Sequence, residues 1–350
     1  MTSYQVVMTG QREAEFREVA FDPALQPDEV LIQTEWSFIS AGTELANYTG
    51  AEPDVFKPGA WCAYPWNSGY ANVGIVRAVG GAVQGFNPGD RVFSHGSHAS
   101  HVKMRTGRLL VKVPDDLDPC LAVASRMAGV SVSAVVMADP RMHPWVAVFG
   151  LGFVGNVAAQ AFRILGGRVI GIDPVAERRA LAEACGIRWT LGGGGDDETQ
   201  AALCAITGGE LADITVEATG LTPVIPQALR ATANVGQVIL LGSPRAPYTA
   251  DMTPLFKDIH LRYLTVRGAL EWCPPTYPVT SSQNGRTFAM PSLLAKQAMI
   301  FDWLRDGALK LDPLVTHRLP PTDAREAYEG LLNQPDVYFG VALDWRGVGS

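Results

Sequence analysis

The chain has 350 residues, 47% of them hydrophobic and 18% charged, with a formal net charge of −7, so it is long enough for two domains with sizeable cores and gives nucleic acid or an anionic membrane no electrostatic reason to bind. No uninterrupted apolar run reaches membrane-spanning length, and the N-terminus, Met1-Thr2-Ser3-Tyr4-Gln5, lacks the basic and apolar regions of a signal peptide, so none is expected. Five scattered cysteines, an odd number, suit reduced thiols in a cytoplasm better than a disulfide framework.

Residues 1 to about 115 read as β-rich. Glu29–Trp36 and Gly74–Val79 alternate or are β-branched, and clusters such as Phe86-Asn87-Pro88-Gly89-Asp90 interrupt them. Trp36, Trp61, Tyr64 and Trp66 crowd this part, suited to a core or to stacking on a sugar ring. His95, His98 and His101 follow, three of the six histidines. Extended chain would turn His98 away from the other two, which argues against a three-histidine metal site. His95 has the intrinsic pKa for general acid/base work.

From about residue 116 strands alternate with helical stretches, a βαβ rhythm that predicts a parallel sheet with helices on both faces. The apolar strand Trp145–Phe149 runs into Gly150-Leu151-Gly152-Phe153-Val154-Gly155, a G-x-G-x-x-G, and then into helix-forming Asn156–Leu165. Gly150 permits the tight turn, Gly152 lets a pyrophosphate approach the backbone, and Gly155 lets helix and strand pack closely. The helix N-terminus faces the phosphates. A second strand, Arg168–Ile172, ends in Asp173, at the offset expected of the acid that holds an adenosine ribose by its hydroxyls. That carboxylate would repel a 2′-phosphate and favours NAD over NADP, a preference tempered by Arg178 and Arg179.

A helix over Pro174–Cys185 comes next. The strands Ile214–Glu217 and Gln237–Leu241 then end in Thr219-Gly220 and Gly242, where strand C-termini meet a dinucleotide. Glu217, inside an apolar strand, reads as a hydrogen-bonded structural acid. Thr265–Leu270 reads as the last strand of this part, and Trp272–Pro291 as a long Pro-, Ser- and Gly-rich loop, a candidate lid. The chain finishes with a helix over Leu293–Arg305, a strand over Leu314–Leu319, a helix over Asp323–Asn333 and a strand over Tyr338–Leu343.

A β-rich unit, an inserted nucleotide-binding domain and a return to the first unit together resemble the medium-chain dehydrogenase/reductase superfamily. Ser40-Ala41-Gly42-Thr43-Glu44 looks like the C-G-T-D segment of its zinc alcohol dehydrogenases, and Gly69-Tyr70-Ala71-Asn72-Val73-Gly74 like their G-H-E-x-x-G. Pro88-Gly89-Asp90-Arg91-Val92 resembles their P-G-D-R-V turn, and Val216–Gly220 with Gly242-Ser243 their later Rossmann strands. The resemblance implies an α/β protein: a GroES-like β-rich catalytic domain (1–115 and 272–350) and a Rossmann doubly wound parallel sheet (116–271). It also implies where zinc would sit, and there Ala41, Tyr70 and Met127 offer no usual ligand. The four cysteines of a structural zinc lobe after Val92 are missing too, so the implied branch is zinc-independent and no metal is expected. Sequences of this look carry sugar- or cyclitol-dehydrogenase names, and bacteriochlorophyllide dehydrogenases share part of the pattern.

Without zinc, a positioned proton donor must serve the reacting oxygen. Tyr70, in the slot of the lost histidine, is the first candidate. Thr43 matches the hydroxyl that begins the family's proton relay, Glu44 is expected to orient its neighbours, and the resemblance puts His95 at the substrate pocket. On the cofactor side it implies that Leu151, Phe153 and Val154 cap the pyrophosphate through backbone groups, that Arg178 lies near the ribose, and that Ser131, Thr219, Gly242 and Gly268 border the nicotinamide half. The expected activity is zinc-independent, NAD-dependent hydride exchange with a secondary alcohol or ketone of a small molecule such as a sugar, polyol or cyclitol. Two alternatives stay open: a lyase or epimerase that retains NAD, and a non-catalytic nucleotide-binding protein. A homodimer or higher homo-oligomer is expected through the sheet edge near Thr265–Trp272.

Overall fold

The computed structural model describes all residues except 140, 284, 285, 290, 349 and 350, and divides into two compact units. The first comprises Met1–Arg126, Pro274–Asp306 and Val315–Ser350; the second comprises Met127–Cys273 and Gly307–Leu314. The boundary expected near 116 thus falls after Arg126, and residues 307–314, expected in the first domain, belong to the second.

The chain begins with a hairpin, β1 (Thr2–Gly10) and β2 (Glu13–Ala20), then β3 (Glu29–Phe38). Helix α1 (Ala41–Thr49) follows at once, where the sequence suggested only β-structure. Its residues form helix weakly on their own, with Gly42, Thr43 and Thr49 among them, so packing decides. Tyr48 is buried and stacks on Tyr328 at 5.1 Å. Next come β4 (Trp66–Asn67), β5 (Asn72–Val79), β6 (Arg91–Ser94), β7 (His101–Arg105) and β8 (Leu110–Lys112). Helix α2 (Pro119–Met137) carries the chain from the first unit into the second. It is long and apolar enough to cross a membrane by composition, but 72% of it is buried in the protein, as in a core helix.

The second unit is built on β9 (Trp145–Phe149), β10 (Arg168–Ile172), β11 (Trp189–Leu191), β12 (Ala212–Glu217), β13 (Thr232–Leu240) and β14 (Thr265–Gly268). Between them run α3 (Phe153–Ile164), α4 (Ala176–Ala184), α5 (Asp196–Thr207), α6 (Val224–Ala231) and α7 (Thr253–Leu261). All strand pairs are parallel, in the order β11-β10-β9-β12-β13-β14. That is the doubly wound order of a dinucleotide-binding sheet, which reverses direction between β9 and β12. Alternate residues of β9 serve opposite faces: Val146 and Val148 join a core with Ala158, Ala159 and Phe162 of α3, while Ala147 and Phe149 join one with Leu203, Leu229 and Leu255. Both faces are covered, which is why this strand reads as a continuous apolar run.

The chain returns to the first unit with the antiparallel pair β15 (Thr280–Gln283) and β16 (Arg286–Ala289), in the segment that read as a loop. Three positions of that segment, 284, 285 and 290, lie outside the described residues. Helix α8 (Leu293–Arg305), strand β17 (His317–Leu319), helix α9 (Ala324–Asn333) and strand β18 (Val341–Asp344) complete it. The main sheet of this unit runs β17-β18-β3-β5-β6-β8, with β7 also on β3, and a smaller sheet runs β2-β1-β4.

Candidate active site

In the second unit the strand registers align the C-terminal ends. Phe149 pairs with Ile172 and with Glu217, Glu217 with Leu240, and Leu240 with Gly268. Gly150, Asp173, Thr219, Gly242 and Gly268 therefore lie along one edge, and the reversal of strand order falls between Gly150 and Thr219. Gly150 has φ 89°, the left-handed turn that the motif required. A Cβ on Gly155 would overlap the Gly150 carbonyl oxygen, so only glycine lets α3 start this close to the end of β9. A Cβ on Gly152 would meet nothing within 4 Å: the backbone there faces open space. Gly152 is the N-cap of α3 and gives no side-chain cap, so first-turn N–H groups, Val154 among them, have no acceptor inside the helix. Open backbone, helix N-terminus and strand-end acid together fit a dinucleotide.

Asp173 is 2% exposed. Its Oδ2 accepts from the Leu151 N–H at 2.8 Å, its Oδ1 from the Val175 N–H at 2.9 Å, and Arg178 Nη1 lies 3.6 Å from Oδ2. The Leu151 N–H, expected on the pyrophosphate, is thus committed to Asp173. Glu217 is the structural acid that its sequence context suggested: it accepts from the Thr219 N–H at 2.7 Å, the Gly220 N–H at 3.2 Å and the Thr219 hydroxyl. The Thr219 hydroxyl also accepts from the Leu221 N–H at 3.0 Å, so it shapes the turn beside Gly150. A Cβ on Gly242 would overlap the Gly220 nitrogen, so Gly242 permits the adjacent turn to close. Gly268 ends β14 with open space around it. Ser131, expected near the nicotinamide, donates its hydroxyl to Met127 O of its own helix at 2.8 Å and is fully buried.

In the first unit, Tyr70 donates its hydroxyl to Ser40 Oγ. Burial pushes the phenol up from its usual range; Arg126 opposes this, as do the Ser40 and Thr43 hydroxyls, while Glu44 reinforces it. The Thr43 hydroxyl bonds the same phenol, so Tyr70 and Thr43 lie together. Behind them lies a buried network. Glu44 Oε1 accepts from the Ser40 N–H at 2.8 Å, and Oε2 accepts from Tyr328 at 2.7 Å and pairs with His98 Nε2 at 2.9 Å. His98 Nδ1 lies 2.7 Å from Ser37 Oγ, to which Trp345 Nε1 donates at 2.8 Å. With Nε2 as donor and Nδ1 as acceptor, both ring nitrogens are satisfied. A Cβ on Gly69 would lie 2.6 Å from the His98 ring, so the network fixes the chain just before Tyr70.

His95 sits elsewhere, edge-on to Phe93 at 5.9 Å, and Phe93 is edge-on to Phe301 at 6.1 Å. Burial, then Arg126, Lys296 and Arg108, push its imidazole well below the usual range. His95 is therefore uncharged at neutral pH, the state that accepts a proton or binds a hydroxyl, the two uses its sequence context suggested besides donating one. His101 has its own partner, Ser100 Oγ at 3.1 Å. The three histidines do not converge, and among the described residues no group of three or more His, Cys, Asp or Glu side chains is placed to hold a metal ion. The zinc slots do not fit zinc: Ala41 opens α1, Tyr70 bonds to Ser40, and Met127 is a buried thioether. Tyr64 and Trp66 pack against the core around Tyr48 and Tyr328, a structural role.

Sequence reasoning missed Ser40, His98 as a partner of Glu44, and Arg126. Arg126 left one signal: it is the lone charge in the apolar stretch Leu121–Val130.

The family model described as alcohol dehydrogenase GroES-like domain matches residues 26–115, and that described as zinc-binding dehydrogenase matches 154–280. L-threonine 3-dehydrogenase of Bacillus velezensis is 29% identical over 235 residues, which span 67% of this chain and 61% of that protein. The 2-desacetyl-2-hydroxyethyl bacteriochlorophyllide A dehydrogenase of Rhodobacter capsulatus is 27% identical over 337 residues, 91% of each chain. Among solved structures, galactitol-1-phosphate dehydrogenase from Escherichia coli superposes with a TM-score of 0.80 at 20% identity, covering 97% of this chain and 99% of that one. With both family models matched in this order onto a GroES-like unit and a doubly wound sheet, the chain belongs to the medium-chain dehydrogenase/reductase superfamily, a family of nicotinamide-dependent oxidoreductases.

Proposed function

We propose that this protein is an NAD-dependent dehydrogenase that works without a metal on a secondary alcohol of a sugar or polyol, or on the corresponding ketone. The observation that carries this reading is Tyr70: a half-buried tyrosine, its phenol hydrogen-bonded to Ser40, stands where the resemblance puts the family's zinc ligand. Curated relatives named for dehydrogenation of L-threonine and of a hydroxyethyl bacteriochlorophyllide support action on a hydroxyl group.

NAD, when bound, supplies the hydride acceptor. Gly152 and the first turn of α3 would hold its pyrophosphate, and Asp173 would hold the adenosine ribose. The Asp173 charge disfavours a 2′-phosphate, while Arg178 beside it offsets part of that repulsion. Tyr70 carries the proton at its Oη, giving it to the oxygen of a ketone or taking it from an alcohol. The Ser40 and Thr43 hydroxyls orient the phenol. Because burial raises the phenol above its usual range, Tyr70 holds its proton at neutral pH. Ketone reduction is therefore expected to be flat around neutral pH, and alcohol oxidation to rise as pH climbs toward the phenol's titration.

The test is NADH formation from NAD across a panel of sugars and polyols, with metal analysis and chelator on the same sample. Turnover that ignores chelator and falls about 100- to 10,000-fold in Tyr70→Phe is expected. Stoichiometric zinc would overturn the metal-free reading. One NAD retained per chain with no net NADH would shift the reading to a lyase or epimerase.

A further inference from the structure

Arg126 lies in α2 with 2% of its surface exposed. Its guanidinium carbon sits 4.8 Å from the centroid of the Tyr70 ring, within the range of a cation–π contact. The placement is fixed from behind: Ser125, the residue before it, accepts from Gln297 Nε2 of α8 at 2.7 Å. A guanidinium does not titrate in proteins, so this is a permanent charge. Its position in the chain is also informative, since it directly precedes Met127, the slot of the third absent zinc ligand.

We propose that Arg126 is the fixed positive charge of this site, the group that stabilises the Tyr70 phenolate whenever the phenol has given up its proton. This rests on the reading of Tyr70 as the proton carrier. In ketone reduction a hydride from the reduced nicotinamide bonds to the carbonyl carbon. The C=O π pair moves to the oxygen, which takes the proton from Tyr70 Oη. Tyr70 is left as a phenolate until a proton from solvent restores it. Burial alone makes that phenolate expensive. Arg126 is the foremost influence opposing burial at Tyr70. The other groups facing the phenol are the Ser40 and Thr43 hydroxyls, which also favour the phenolate, and Glu44 of α1, which disfavours it. Arg126, together with Lys296 of α8 and Arg108, acts on His95 as well. Arg126 works through Tyr70, and is a positioning residue in that sense. It supplies the electrostatic help that a metal gives elsewhere.

The experiment compares the parent with Arg126→Met, Arg126→Gln, Arg126→Lys and Tyr70→Phe. Near-ultraviolet phenolate absorbance is followed against pH, and the parent-minus-Tyr70→Phe difference isolates Tyr70 among the nine tyrosines. In Arg126→Met the Tyr70 phenolate should appear about one to three pH units higher, or fail to appear before alkaline unfolding. Arg126→Lys should shift it the same way by less, because an ammonium cannot stack as the planar guanidinium does. The rising limb of alcohol oxidation should move with the titration. A folded Arg126→Met whose titration and rate limb match the parent's overturns the proposal. Should that variant not fold, Arg126→Gln, which removes the charge but keeps donors, decides: an unmoved titration overturns the proposal too. If instead Tyr70→Phe keeps the parent's rate and pH limb, the proton-carrier reading fails, while the titration still reports whether Arg126 stabilises the phenolate.

Discussion

Both oxygens of Asp173 are engaged within its own unit, on the N–H groups of Leu151 and Val175. A carboxylate has about four acceptor directions, so the proposed ribose role would use those the two N–H groups leave. Asp173→Asn keeps an acceptor but removes the charge and frees Arg178 from its partner at 3.6 Å. The ratio of kcat/KM for NAD to that for NADP should fall about 10- to 100-fold, the equivalent of about 1–3 kcal/mol for a charged hydrogen bond. An unchanged ratio would mean that Asp173 only shapes the Gly-rich turn. Glu44 presents the contrasting case, a buried carboxylate turned toward the fold. Glu44→Ala would strand the Ser40 N–H, the Tyr328 hydroxyl and His98 Nε2 together. The expected loss is about 3–5 kcal/mol in urea unfolding, because three buried donors lose their acceptor at once, with Glu44→Gln costing less. A Glu44→Ala variant within about 1 kcal/mol of the parent would show that the network does not hold the fold.

At the scale of elements, α3 is held to β9 by the absence of a side chain. Gly155→Val would drive two methyl groups into the Gly150 carbonyl and the Ala218 Cβ, which is 3.1 Å from where a Cβ would begin. The helix must then retreat, at about 1–3 kcal/mol of overpacking, and its N-terminus moves off the phosphates. Calorimetric NAD titration should show binding weakened by more than the unfolding free energy falls; unimpaired binding would detach α3 from the cofactor site. The nucleotide motif was legible in the sequence because its signals are local: β9 and β10 have the ends read from the residues, Gly150 makes the left-handed turn and Gly155 the close approach that their spacing predicts, and Asp173 follows the end of β10. The surroundings of Tyr70 in the first unit were not. Tyr70 meets Ser40 across 30 positions and Glu44 meets Tyr328 across 284, contacts that no local pattern encodes. Helix α1, which carries Thr43 and Glu44, was hidden for the same reason, since tertiary burial of Tyr48 outweighs its weak propensities.

For the whole molecule, the two units are cut from the chain in a way that hydrophobic pattern alone could not reveal. Residues 307–314 return to the second unit because α3 grips their backbone: Gln160 exchanges hydrogen bonds with Lys310 O and N–H at 3.0 and 2.8 Å, and Arg163 donates to Ala308 O at 2.9 Å. Among the described residues, the second unit's sheet has a strand, β14, paired on one side only. Around that open edge Leu261, Tyr263, Val266 and Leu270 are exposed, Tyr263 and Leu270 at 76% and 68%. An apolar, unpaired edge is a template for another strand unless charge or cover protects it. The expected assembly is a homodimer in which β14 meets its copy, a self-complementary contact of two-fold symmetry. Sedimentation of the parent should give twice the mass of one chain. Val266→Lys with Leu270→Lys should give single chains, because two like charges on each side of the axis face their own copies. A parent that sediments as a single chain, or a double-lysine variant that stays dimeric, would place the contact elsewhere or nowhere.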